Sequence, residues 1–280
     1  MKQRLWLVVL GVALAAAGLW WQARPPTELT VTFFNIGQGD ATLIRTPQGQ
    51  QILIDGGPDR TILRKLGQEL PWFERDIDLV ILSHPHADHV AGLTYVLERY
   101  RVQQILMTDA VHTTPEYLRF LELIKQYQVP VTLAQAGQVI ALSGEVNVEV
   151  LWPNISYAGI KVVDLNATSI VNRVVYGNTA VLFTGDTPSE NEAALVASGA
   201  QLSAQILKVA HQGSHTSSTE AFLRAVSPEV AVISVGANNR YGHPHRQIVA
   251  RLQTLVATVL RTDRDGDITF RSHGRRWQRQ

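Results

Sequence analysis

The sequence of 280 residues contains no cysteine. Disulfide staples and thiolate-held zinc are therefore both excluded. The lack of thiols fits an exported protein. Charge of one sign is also missing: 25 basic residues stand against 24 acidic ones, a formal net charge of +1, so the chain casts no strong global field toward a polyanion. Aromatic residues make up only 7%, few for a surface built to stack bases. No internal repeat and no low-complexity tract is present. The basic C-terminal stretch, Arg271, Arg275, Arg276 and Arg279, reads as a solvated tail.

One long apolar run stands out. Leu5 to Trp21 carries no charge, follows Lys2 and Arg4, and has Trp6, Trp20 and Trp21 at its ends. It lies at the short edge of a membrane span, roughly 17–25 residues. A cleavable signal peptide is the rival, with Ala15, Ala16 and Ala17 as small residues. The bulky Leu19-Trp20-Trp21 stretch favours an uncleaved N-terminal hydrophobic helix. Basic residues ahead of the run place the N terminus in the cytoplasm and the remainder on the extracytoplasmic side. Residues 1–27 thus form an anchor and linker, and 28–280 suffice for one large α/β domain.

Within that domain, Leu29 to Phe34 and Ala41 to Thr46 read as strands joined by a turn at Gly37 and Gly39, and Gln51 to Ile54 continues the sheet. Ile77 to Ser83 reads as a buried strand. Ser169 to Tyr176 and Thr179 to Thr184 form a hairpin across Gly177-Asn178. Helices are expected over Thr61–Leu70, Ala91–Tyr100, Pro115–Tyr127, Ser189–Ser198, Thr219–Val226 and from near Pro244. Asp265-Gly266 reads as a hairpin turn. Two runs of strands, each followed by helices, predict two packed sheets covered by helices.

The chemistry concentrates where strands end. His84-Pro85-His86-Ala87-Asp88-His89 follows the Ile77–Ser83 run. His84 and His86 point the same way in an extended turn and can grip one ion; Asp88 and His89 can grip a second. Asp186 ends the apolar run Val181–Phe183 and can bridge two ions; its plainer role is a helix cap. His211 follows Ile206–Val209 as a further ligand, the sixth. Asp55, at the end of Leu53-Ile54, is placed to accept the second N–H of a ligand imidazole, or simply to shape an Asp-Gly turn. His243 reads as a substrate-facing or proton-transfer group. Lys208, Ser214 and Arg240 flank the inferred cleft as phosphate-oxygen binders. His112, His215, His245 and His273 have no such assignment.

The order Asp55, His84-x-His86-x-Asp88-His89, Asp186, His211 resembles the metallo-β-lactamase superfamily. Phe34-Asn35-Ile36-Gly37-Gln38-Gly39-Asp40, Leu207-Lys208-Val209-Ala210-His211-Gln212-Gly213-Ser214 and Arg240-Tyr241-Gly242-His243-Pro244 further resemble the C-terminal hydrolase domain of ComEC-type DNA-internalisation (competence) proteins, over about residues 28–272. This resemblance implies an αββα four-layer sandwich and hydrolysis by a metal-bound hydroxide. Two divalent ions, Zn²⁺ or alternatively Mn²⁺, would be held by His84 and His86 on one side and by Asp88, His89 and His211 on the other. Asp186 would be shared, and Asp88 and His243 would act in catalysis. It also implies a bacterial setting, DNA uptake and a channel supplied by another chain.

One departure is visible. Many superfamily members carry a further His between the cluster and the bridging Asp; here that interval offers Asn166, read as orienting a water or substrate oxygen. A phosphodiester is the expected substrate, with single-stranded DNA as the candidate polymer. A lactone, ester or β-lactam and a non-catalytic uptake component are the alternatives.

Overall fold

The computed structural model describes residues 27–280 and, ahead of them, Trp6, Leu10, Gly11 and Leu14. The expected N-terminal anchor lies almost wholly outside the described residues. Among the described residues no helix is long and apolar enough to cross a membrane.

Strands β1 (Leu29–Phe33), β2 (Thr42–Arg45) and β3 (Gln51–Ile54) form an antiparallel run. Helix α1 (Thr61–Glu69) follows, then the short β4 (Asp76–Ile77), β5 (Leu79–Ile81), α2 (Ala87–Arg99), β6 (Arg101–Val102), β7 (Ile105–Met107), α3 (Pro115–Tyr127) and β8 (Val131–Leu133). From β3 onward the pairings β3–β5–β7–β8 are parallel. The second half repeats this plan. Strands β9 (Val139–Ala141), β10 (Val146–Trp152), β11 (Val171–Tyr176) and β12 (Thr179–Phe183) run antiparallel. Then α4 (Ser189–Ala197), β13 (Ile206–Lys208), α5 (Glu220–Val226), β14 (Val230–Ile233), α6 (Arg246–Leu255) and β15 (Thr258–Arg261) give parallel pairings β12–β13–β14–β15. A helical turn, α7 (Thr262–Asp265), leads into β16 (Ile268–Ser272) and β17 (Trp277–Arg279). The sheet orders are β17-β16-β1-β2-β3-β5-β7-β8 and β15-β14-β13-β12-β11-β10-β9, with β4 and β6 paired separately.

Strand periodicity builds the layers. Ile52, Ile54, Leu79 and Ile81 face the second sheet, where they meet Val148, Val181, Phe183 and Ile206. Leu53 and Val80 face the other way and pack on Ile62, Leu66, Leu93 and Phe120 of α1 to α3. In the second sheet Leu182, Leu207 and Ile233 pack on Leu195, Phe222 and Leu252 of α4 to α6. Strands buried on both faces read as continuous apolar runs. The result is helices, sheet, sheet, helices.

Three local expectations are corrected. Helix α2 begins at Ala87 rather than Ala91: extended His86 (φ −72°, ψ 149°) sits at its start, and the His89 and Val90 N–H groups both donate to the His86 carbonyl at 3.0 Å. Asp88 and His89 therefore lie inside the first helical turn, and Asp88 gains from the helix dipole. The Ile77–Ser83 run is split at Asp78, whose carboxylate accepts from the Gln51 N–H at 2.8 Å. Asp265-Gly266 is not a hairpin: β15 pairs with β14 while β16 pairs with β1, so this segment carries the chain between the sheets. Asp265 caps it by accepting from the Arg261 N–H at 2.9 Å, and Lys65 holds Asp267 at 2.6 Å.

Candidate metal centre

The ends of β3, β5, β12, β13 and β14 open on one edge of the sandwich, the usual place for function in parallel α/β sheets. Asp55 follows β3 with φ 57°, a left-handed conformation that Asp tolerates better than most residues. Its carboxylate accepts from the Ser83 N–H at 2.8 Å and the Ser83 hydroxyl at 2.7 Å. His89 Nδ1 lies 2.8 Å from Asp55 Oδ2. That bond places the proton on Nδ1 and turns Nε2 inward. Helix α2 is pressed against the same loop: the Gly56 N–H donates to the His89 carbonyl at 2.8 Å and the Gly92 N–H to the Gly57 carbonyl at 2.9 Å.

Asp186 stands opposite. Gly185 adopts φ 50° to turn the chain at the end of β12, and the Ser169 hydroxyl accepts from the Asp186 N–H at 3.0 Å. Asp186 Oδ2 lies 3.4 Å from His89 Nε2, 3.7 Å from His211 Nε2 and 3.8 Å from His84 Nε2. His86 Nδ1 is 2.9 Å from His84 Nε2. The ligand atoms of His84, His89 and Asp186 lie within 4.8 Å of one another, all buried. Among the described residues, His89 Nε2 and Asp186 Oδ1 are buried without a well-directed hydrogen-bond partner. Unpartnered imidazole and carboxylate atoms that converge in this way are what a divalent cation would satisfy, so the residues fit a metal.

The electrostatics agree. Burial lowers the His89 pKa, but Asp186, Asp55 and Asp88 outweigh it and hold the imidazolium well above its usual value. Burial raises Asp186, but His89, His84 and His211 hold it well below the carboxylate range. Burial, reinforced by His89, pushes His84 well below. Without an ion, the carboxylates draw a proton to their centre.

Above this floor lies a cleft of about 350 Å³, lined by His86, Asp88, Asn166, Asp186, His211 and His243 among others. Burial, followed by His211, lowers the His243 pKa, so the ring is neutral at pH 7. Among the described residues, His243 Nδ1 and Asn166 Oδ1 are buried without partners. Asn166 leaves the local turn to Asp164, whose carboxylate accepts the Asn166 N–H at 3.0 Å.

The structure thus brings together Asp55, His84, His86, Asp88, His89, Asn166, Asp186, His211 and His243. It does not bring the three expected phosphate binders to the cleft. Lys208 is 3% exposed, and its ammonium is paired with Asp40 and donates to the Gly185 carbonyl at 3.3 Å. A cation enclosed with its counter-ion is unavailable to a substrate. Burial pushes Asp40 up to about 6, Lys208 pulling the other way, so the pair is ionised at pH 7. Ser214 is buried and accepts from the Thr216 hydroxyl at 3.0 Å. Arg240 is exposed outside the cleft, its guanidinium 5.0 Å from the centre of the Tyr241 ring.

Other cleft residues carried no assignment from the sequence: Gln38, His112, Thr114 and Gln212. His112 stands 6.0 Å, ring to ring, from His86. The Gly37-Gln38-Gly39-Asp40 turn between two strands was the available signal. Gly39 (φ +130°) passes so close to α2 that a Cβ would meet the Asp88 carbonyl oxygen at 2.2 Å.

Comparison with known proteins agrees with this layout. The chain is 28% identical over 266 residues to ComE operon protein 3 of Bacillus subtilis (strain 168), covering 89% of this chain and 34% of that protein. It is 34% identical over 254 residues to the competence protein ComA of Neisseria gonorrhoeae, covering 89% and 33%. The chain thus spans about a third of the length of these curated relatives. Among solved structures, the metallo-beta-lactamase fold protein YhfI from Bacillus subtilis superposes with a TM-score of 0.55 at 14% identity, over 87% of this chain and all of that one, a likeness of fold. The profile of the metallo-beta-lactamase superfamily matches residues 35–237, and the chain belongs to that superfamily.

Proposed function

We propose that this chain is a metal-dependent phosphodiesterase that acts on nucleic acid, single-stranded DNA in particular. The observation that carries the reading is the buried His84–His89–Asp186 cluster at the floor of an open polar cleft. In this reading His84 and His86 would hold one ion and Asp88, His89 and His211 a second, with Asp186 available to both. Imidazole and carboxylate donors suit Zn²⁺ first and Mn²⁺ second. Bound there, divalent ions supply Lewis acidity and make a water nucleophilic near neutral pH.

The chain's own groups do the rest. Asp55 keeps the His89 tautomer that faces inward. Asp88, a partly exposed carboxylate at the cleft floor, takes the proton of the attacking water. His243, whose ring is neutral, donates a hydrogen bond to the phosphoryl oxygens as charge builds on them, and a water gives the leaving oxygen its proton. Asn166 Oδ1 orients a water and, through it, a substrate oxygen. Tyr241, 56% exposed at the rim, offers a stacking face for a base. The setting that goes with this reading is the extracytoplasmic face of a bacterial membrane, with Leu5 to Trp21 as anchor and a channel formed by a separate chain.

The full-length chain is tested on bis(p-nitrophenyl) phosphate and single-stranded DNA with Zn²⁺ or Mn²⁺, beside a His86→Ala/Asp186→Ala double variant. Metal-dependent cleavage that disappears in the variant is expected. Metal binding without phosphodiester cleavage would sink the reading and turn the search to lactone, ester or β-lactam bonds. Failure to bind metal would leave the non-catalytic uptake component.

A further inference from the structure

Gln38 and Gln212 come from distant parts of the chain, yet their side-chain amides meet. The Gly236 N–H donates to Gln38 Oε1 at 3.1 Å. Gln38 Nε2 donates to Gln212 Oε1, and Gln212 Nε2 donates to Asp88 Oδ2 at 2.9 Å. The direction of this chain of bonds is fixed by its ends. A backbone N–H can only donate, and a carboxylate can only accept. Both amides must therefore present oxygen toward Gly236 and nitrogen toward Asp88, and neither can flip without breaking two bonds.

Two further observations show that the relay is built in. Gly236 lies so close to the Gly37-Gln38 turn that a Cβ would meet the Gln38 nitrogen at 2.7 Å. Gln212, 1% exposed, and His211 are consecutive non-glycine residues in left-handed backbone, φ 55° and 49°. Such residues persist only where surrounding contacts over-determine them. The anchored Gln212 amide is such a contact, and the turn it holds carries His211 to 3.7 Å from Asp186.

We infer that Gln38 and Gln212 are positioning residues: a polarised amide relay, tied to the 236–243 loop, fixes the Asp88 carboxylate and the His211 turn for cation binding. The donor reaching Asp88 is charge-assisted, and each amide polarises the next. The loop end is secured by Asn239, whose amide nitrogen donates to the Gly236 carbonyl at 2.9 Å and the His243 carbonyl at 2.6 Å. Cation binding and the placement of His243 therefore share one set of bonds. The inference rests on the reading of Asp88 as a cation ligand.

The test is Mn²⁺ titration calorimetry on the chelator-stripped full-length chain. The variants are Gln38→Met, Gln212→Met and the double, each with Asp88 intact and in an Asp88→Ala background. Thermal unfolding of the metal-free proteins checks that they fold, and Gln38→Met carries the test if Gln212→Met does not. Visible absorption of the Co²⁺-loaded proteins reports ligand geometry directly. Gln38→Met is expected to weaken Mn²⁺ binding about tenfold, the scale for groups that orient ligands, and to alter the Co²⁺ spectrum. The double variant should bind no more weakly than Gln212→Met, because a broken chain cannot be broken twice. In the Asp88→Ala background the Gln38 effect should shrink to the part that acts through the His211 turn. Native-like binding by Gln38→Met beside a weakened Asp88→Ala protein would overturn the relay, as would a Gln38 effect that is undiminished without Asp88. Native-like binding by Asp88→Ala would instead overturn the ligand reading, and the relay with it.

Discussion

The same substitution, glycine to alanine, is expected to act with opposite sign at two helical positions. Gly92 lies in α2, where a Cβ would sit 1.8 Å from the Gly56 carbonyl oxygen, 2.6 Å from the Gly56 carbonyl carbon and 3.0 Å from the Asp59 carbonyl oxygen. Ordinary contact begins near 3.4 Å, so the oxygen is 1.6 Å too close. All three neighbours are backbone, and no flexible side chain can give way. The helix must back off, stretching the Gly92 N–H to Gly57 bond (2.9 Å) and the Gly56 N–H to His89 bond (2.8 Å). Overpacking costs about 1–3 kcal/mol and each weakened buried bond about 1 kcal/mol. The helix preference of Ala over Gly returns about 1 kcal/mol. Gly92→Ala should therefore lose about 2–4 kcal/mol in urea unfolding. It should also bind Mn²⁺ more weakly, because the moving helix carries Asp88 and His89. Gly67 lies in α1 with nothing within 4 Å of its would-be Cβ, so Gly67→Ala should gain about 0.5–1 kcal/mol. A Gly92→Ala protein as stable as the native chain, with unchanged Mn²⁺ affinity, would refute the close-packing argument.

Lys208→Met strands the buried Asp40 carboxylate and should cost on the order of 3 kcal/mol; Asp40→Asn/Lys208→Met should recover most of it, and a double variant no more stable than the single at pH 7 would contradict the pairing. Asp55→Asn leaves one acceptor oxygen where the Ser83 N–H and His89 Nδ1 each use their own, so the His89 tautomer is no longer fixed; cation affinity measured by calorimetry should fall about 10- to 100-fold. Glu192 accepts from the Ser218 N–H at 2.6 Å and the Thr219 N–H at 2.8 Å. Glu192→Gln sets an amide donor against a backbone donor, and denaturant unfolding should show a loss of about 1–3 kcal/mol at pH 7.

Much of this site is legible from the sequence for one physical reason: the first ligands, and the Asp55 that orients one of them, lie within a few residues of the ends of apolar strands. Leu53-Ile54 before Asp55, Leu79–Ile81 before His84 and Val181–Phe183 before Asp186 are runs buried on both faces, and a residue that ends such a run is delivered to the sheet edge. Lys208 shows where that logic fails. It too sits at a strand end, and a basic residue beside a metal cluster suggests a substrate anion. Nothing local reveals that Asp40, 168 positions away, folds back to enclose it. The Asp265-Gly266 turn fails similarly, since a two-residue hairpin and a crossover between sheets begin with the same turn chemistry; only the pairing of β16 with β1 distinguishes them. The Gln38–Gln212 contact is the limiting case. Glutamine carries no signature of burial or of partner choice, and the bond exists because Gly236 and Gly39 let two backbones approach more closely than any side chain would allow. What stays hidden in a sequence of this kind is therefore the set of polar groups, drawn from separate segments, that orient the ligands, while the ligands themselves are announced by the strands that carry them.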